Sequence, residues 1–195
     1  MTLMSVAPVP DWLFPPEGGF EAADLDRLPD LPPHSELIDG SLILVSPQAH
    51  LHTLILFVLE TALRRRVPGN LRVRREITVT LGKRQRPEPD LTVFEAAEQT
   101  ALTGTTIDAD KAVLVVEVVS PESRTRDRKR KPVLYAEAGI QHFWLVETED
   151  GKPVLYTYEL DPVTKEYAAT GIQRGDFALN VPYPIEIDFG EIERL

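Results

Sequence analysis

The residues of this chain best suited to chemistry are two carboxylates and a lysine. Glu117 stands in the middle of AVLVVEVVS, residues 112–120, a β-branched and aliphatic run that reads as a strand buried on both faces. Burying an unpaired ionised carboxylate is expensive, so Glu117 must find a cationic partner, take up a proton or bind a metal. Strand alternation puts it on one face with Val113, Val115 and Val119. Asp90 follows Pro89 at the start of a shorter strand, residues 89–94. Hard cations such as Mg2+ prefer carboxylate oxygens and often bind through only one or two of them. Such an ion can activate water and stabilise charge on a phosphoryl oxygen. Asp90 and Glu117 on neighbouring strands suit that chemistry, and a structural salt bridge would also use them. Lys131 shares a helical face with Leu134, Tyr135 and Ala138, a stripe that points toward a sheet rather than into water. There it could hold an attacking water or neutralise charge on a scissile phosphate. As a surface i,i+4 partner of Asp127 it would do neither.

The elements that must position these groups can be read from periodicity. Residues 36–45 form a hairpin signal, two apolar runs about Asp39-Gly40, closed by Ser46-Pro47. Residues 48–66 carry Leu51, Leu54, Ile55, Val58, Leu59 and Ala62 at spacings of three and four, an amphipathic helix stopped by Pro68-Gly69-Asn70. Residues 71–81 alternate as a strand, residues 95–111 read as a polar loop with weak helical character, and 123–139 have helical composition. Residues 141–147 form a further strand, 152–160 and 165–172 a hairpin, and 185–187 a short strand before a final helical turn. A short helix is expected near residues 20–28, ended by Pro29. The expectation is one α/β or α+β domain over residues 34–195, preceded by a proline-rich lead over 1–33.

Composition narrows the class. The chain has 195 residues, no cysteine and a net charge of −10. Disulfides and thiolate metal sites are therefore excluded. No apolar run reaches membrane-spanning length, and MTLMSVAPVPDW lacks the basic start and apolar core of a signal peptide. The expectation is a soluble cytoplasmic protein. The acidic balance argues against a nucleic-acid partner, but its distribution does not. Between Arg64 and Lys131 lie 16 of the 21 basic residues and only 10 of the 31 acidic ones. Arg64-Arg65-Arg66, Arg72, Arg74 and the cluster from Arg124 to Lys131 could hold phosphates, or simply be solvated. His50 and His52 diverge at a helix start and do not make a metal pair, and His34 and His142 read as structural. No helix-turn-helix, zinc finger or glycine-rich phosphate loop is present, so sequence-specific readout is not suggested.

The motifs, in order, resemble a known family. Pro89-Asp90 followed by Glu117-Val118-Val119 looks like the PD-(D/E)XK nuclease motif. ELIDG at 36–40, Ser46-Pro47, His52, PDL at 89–91, VEVVSPESR at 116–124, Asp127 with Lys131, and YAEAGIQHFWLV at 135–146 resemble the Uma-type family of restriction endonucleases. The resemblance runs from Glu36 to about Pro184. It implies a restriction-endonuclease-like core, a central mixed β-sheet flanked by helices, with an appended C-terminal β-hairpin. It also implies Mg2+-dependent hydrolysis of DNA, with Mn2+ as a substitute, Asp90 and Glu117 as metal ligands, Lys131 assisting the water and Glu36 as a supporting acid. His52, Arg124, Arg126 and Lys129 are candidate substrate contacts. A homodimer is a candidate assembly, with the hairpin at 152–172 as its interface.

Two positions depart from the pattern. The lysine position of the general motif holds Val119, and the Uma-type pattern supplies its lysine at Lys131 instead. Pro132 follows Lys131 directly, and proline is comfortable only in a helix's first turn. A helix starting near Pro132 would leave Lys131 at its cap, with Lys129 as the alternative lysine. The rival to a nuclease is a non-catalytic nuclease-like module that binds nucleic acid or protein.

Overall fold

The computed structural model describes residues 10–96 and 103–195; residues 1–9 of the lead and 97–102 of the polar loop lie outside the described residues. The first ordered sheet is a hairpin, β1 (Ser35–Ile38) with β2 (Ser41–Leu44). Its turn holds Asp39 and Gly40 at φ of 54° and 76°, the left-handed pair that a two-residue hairpin turn requires. A Cβ on Gly40 would approach the exposed Arg84 guanidinium to 2.5 Å, so a larger residue there would displace that side chain. Helix α1 (His50–Arg65) comes next, then β3 (Leu71–Arg75), β4 (Thr78–Thr80), β5 (Leu91–Glu95), β6 (Thr106–Asp108) and β7 (Ala112–Val118). Helix α2 (Lys131–Glu137) leads to β8 (His142–Glu149), β9 (Lys152–Asp161), β10 (Glu166–Arg174), β11 (Asp176–Leu179) and β12 (Ile185–Asp188).

Six of these strands form the central sheet in the order β10-β9-β8-β7-β5-β3. Only β7 and β8 pair in parallel, and a parallel pair needs a crossover, which the segment carrying α2 supplies. On one face, Ile55, Leu56, Leu59 and Leu63 of α1 pack against Leu114, Val116, Val118, Trp144 and Val146, with Ile185 and Ile187 of β12 closing the layer. On the other face, Tyr135 of α2 meets Val115, Phe143 and Leu145. β7 is thus covered on both sides, as its continuous apolar run requires. Among the described residues, no helix is long and apolar enough to cross a membrane.

Three expectations change. The strand expected over 71–81 splits at Glu76, whose φ is 51°, and β4 leaves the main sheet to pair in parallel with β6. Arg74-Arg75-Glu76 are three polar residues in a row, which breaks the alternation that a single strand needs. β11 adds a partner for β12 that the pattern does not reveal. The third correction concerns Pro132. The helix does not begin there; the chain is helical from Arg124 and passes through a π turn, Arg126–Arg130, before entering α2. The Lys131 amide reaches back to the Arg126 carbonyl, five residues away. The widened turn accommodates a proline that brings no N–H to the helix ladder.

Arg130, at the end of this π turn, clasps Asp39 of the hairpin turn through Nε at 2.8 Å and a second nitrogen at 2.5 Å. This fork hydrogen bond ties β1–β2 to the segment carrying Lys131. The Arg130 partner lowers Asp39 from 3.8 to about 2. Its stabilisation is therefore present above the unfolded value and is lost as pH falls through about 2. Asp39→Asn should reduce stability at pH 6 by about 0.5 kcal/mol, as expected for an exposed pair. Denaturant titrations should show that difference vanishing near pH 2.

Candidate active site

The sequence-predicted acids and lysine converge. Glu36 projects from β1, Glu117 from the centre of β7, and Asp127 and Lys131 from successive turns of the distorted helix. Lys131 Nζ lies 2.8 Å from Glu36, 3.0 Å from Glu117 and 3.3 Å from Asp127. All four residues are at most 3% exposed. The other Glu117 oxygen accepts a 2.5 Å hydrogen bond from the Tyr135 hydroxyl, one turn beyond Lys131 on the same helical face. Glu36 also accepts the Glu88 amide at 3.0 Å, which links the hairpin to the segment entering β5.

Asp90 stands beside this cluster at the mouth of β5. One of its oxygens accepts the Val118 amide at 2.6 Å, next to Glu117 in sequence, and the other lies 3.0 Å from His52 Nε2. His52 sits in the first turn of α1, buried, and its Nδ1 has no hydrogen-bond partner among the described residues. The acids, Lys131, His52 and Arg126 line one cavity of about 560 Å3. Arg124 and Lys129 are not among its lining residues; both are exposed, and Lys129 borders a different cavity beside β9 and β10. Of the two lysines, Lys131 is the one that enters the cluster. Arg64, Arg65 and Arg66 lie at the far end of α1 from His52, about 18 Å away at 1.5 Å per residue, and Arg64 and Arg66 are paired with Glu60 and Glu186.

The charge balance of the cluster is strongly negative. Burial pushes Glu117 well above the ordinary carboxylate value; Lys131 opposes that, and the neighbouring Asp127, Asp90 and Glu36 add to it. Burial likewise raises Asp127 against the pull of Lys131, whose Nζ lies 3.3 Å from its Oδ1. Burial would depress Lys131, but Glu117, Glu36 and Asp127 outweigh it and hold the ammonium well above its usual value. Lys131 is thus a permanent cation facing more negative charge than it can neutralise.

Sequence reasoning misses Tyr135 and the burial of Asp127. On pattern alone Tyr135 is part of an apolar stripe and Asp127 a surface partner. Their positions at i+4 and i−4 from Lys131 are the available signal, since all three fall on one helical face.

A family model named Uma2, described as "Putative restriction endonuclease", matches residues 22–188. The chain belongs to this family. A crystal structure of a protein described as a putative nuclease, from Anabaena variabilis, is similar over 89% of this chain and 97% of that one, with a TM-score of 0.67 and 18% sequence identity. At that identity the likeness shows a shared nuclease-like fold, with the central mixed sheet expected for it. No curated protein matches the chain. Within the Uma2 family match fall Glu36, Asp90, Glu117 and Lys131, together with the π turn that carries Asp127.

The electrostatics predict opposite effects for the two ends of the central ion pair. Lys131→Met strands three buried carboxylates and should cost about 3–5 kcal/mol in urea unfolding at pH 7. Glu117→Gln should instead stabilise the protein, and increasingly so as pH rises above 4.5. The folded state holds the Glu117 proton to higher pH than the unfolded chain does, so the wild type loses stability as pH rises. At pH 4 the two proteins should be equally stable.

Proposed function

We propose that this protein is a divalent-metal-dependent DNA endonuclease with its centre at Asp90, Glu117 and Lys131. The observation that carries this reading is the convergence of Lys131 on Glu36, Glu117 and Asp127, with Asp90 alongside, at the floor of one cavity. Among the described residues no set of three or more His, Asp or Glu side chains is preassembled around a cation position. The donor set nevertheless fits Mg2+, which can be held through one or two carboxylates with waters completing the shell. The surplus of acids over Lys131 along the cavity favours a cation there. Asp90 and Glu117 would hold Mg2+, or Mn2+ in its place. When bound, such an ion supplies Lewis-acid stabilisation of a phosphoryl oxygen and lowers the pKa of water.

The chain's own residues do the rest. In hydrolysis the water oxygen bonds to phosphorus and the bond to the departing sugar oxygen breaks. One proton leaves the water for solvent, and the departing oxygen takes one up. Lys131, held protonated, cannot serve as the base; it donates hydrogen bonds to the attacking water or to the phosphate and neutralises developing charge. Glu36 and Asp127 keep its ammonium in place, Tyr135 orients Glu117, and His52 orients Asp90. Arg126, which lines the cavity, would meet a phosphate.

One observation favours a second reading, a non-catalytic nuclease-like module: both Glu117 oxygens are already bonded, to Lys131 and Tyr135. The two readings separate cleanly. Incubation with single-stranded circular DNA and with supercoiled plasmid should give Mg2+-stimulated nicking that Asp90→Ala and Glu117→Ala reduce at least about a hundredfold. Mg2+ should also raise the melting temperature of the wild type and leave that of Asp90→Asn unchanged, a readout independent of turnover. DNA binding without cleavage under any divalent ion would establish the second reading.

A further inference from the structure

The cavity above the acids is lined by both apolar and cationic side chains, and their chemistry bears on the form of the strand that enters. One wall is apolar and comes from the end of β2 and the turn after it: Ile43, Leu44, Val45 and Pro47. Leu44 is 47% exposed, a large apolar side chain left in water at the rim of a charged site. The same cavity is lined by Arg126, which makes no ion pair among the described residues and whose Nε is buried without a hydrogen-bond partner. The reactive groups lie at the bottom, with Lys131, Glu36 and Glu117 each at most 3% exposed.

A continuous duplex fits this arrangement poorly. Its outer surface presents phosphates and groove edges and hides the faces of its bases, so it offers nothing for an apolar shelf to cover. An unpaired nucleotide offers both a base face and a phosphate within one residue, and enzymes that act on extruded nucleotides pack them against apolar or aromatic side chains. We infer that the site takes an unpaired DNA strand, with the apolar residues from Ile43 to Pro47 covering base faces and Arg126 neutralising a phosphate. This inference rests on the nuclease reading above and narrows its substrate to single strands, flaps, bubbles and frayed ends.

Two measurements keep it separable from that reading. In Mg2+, a labelled duplex carrying a single-stranded flap should be cut in or beside the unpaired segment, at least about tenfold faster than the same sequence fully paired. In Ca2+, anisotropy with the labelled single strand and with its duplex should show at least about tenfold tighter binding of the single strand. Leu44→Asp, at an exposed position that asks little of the fold, should raise KM for the flap substrate, whereas Leu44→Phe should keep it low. Equal or faster cutting of the paired form, equal or tighter binding of the duplex, or an unchanged KM in Leu44→Asp would overturn the inference. If no DNA is cut, the nuclease reading fails, and the Ca2+ binding comparison still decides strand preference in either direction.

Discussion

The structure depends on one buried ammonium. Lys131 is the point at which the hairpin, the central strand and the distorted helix meet, through Glu36, Glu117 and Asp127 respectively. A lone charge at that depth would be untenable, and so would any of the three carboxylates without it. The three carboxylates therefore require the ammonium, yet the cluster is not balanced. Three carboxylates with Asp90 beside them exceed one lysine, and burial, with the neighbouring acids, raises Glu117 and Asp127 against the pull of that lysine. An apolar cluster of equal volume would stabilise the fold at least as well. Retaining an unbalanced charged cluster beside a cavity is what the proposed cation-dependent site would require.

The rest of the architecture keeps that cluster in register. The parallel β7–β8 pair demands a crossover, and the crossover brings a helix over the face of β7 from which Glu117 projects. Within that helix the π turn sets where Asp127, Lys131 and Tyr135 fall, since an extra residue in one turn rotates the later turns relative to the earlier ones. Pro132 fits the same solution, because the widened turn needs no amide from it. From outside the cluster, the fork between Arg130 and Asp39 holds the hairpin that delivers Glu36. Uma2 family membership over residues 22–188 includes every one of these elements.

Much of this is legible from sequence because it rests on short-range pattern. The run AVLVVEVVS announces a doubly buried strand and Glu117 its anomaly, the Asp39-Gly40 turn announces the hairpin, and the spacing of α1 announces its apolar face. The features that escape depend on contacts between distant segments or on broken periodicity. The split after β3 comes from where Arg75 falls in the alternation. β11 has no strong pattern of its own and exists through pairing with β12. The π turn is invisible to a reading that assumes regular helical spacing, which is why Pro132 looks like a helix start. Asp127 and Tyr135 carry the right spacing from Lys131, but spacing alone does not distinguish a surface salt bridge from a buried one.

The central claim is that Asp90 and Glu117 form one cation site served by Lys131. The most direct measurement is the anomalous scattering of crystals soaked in Mn2+. A single strong peak in contact with carboxylate oxygens of both Asp90 and Glu117, with Lys131 beside it, is the expected result. A peak confined to other residues, or none at Mn2+ concentrations that saturate a hard-oxygen site, would contradict it.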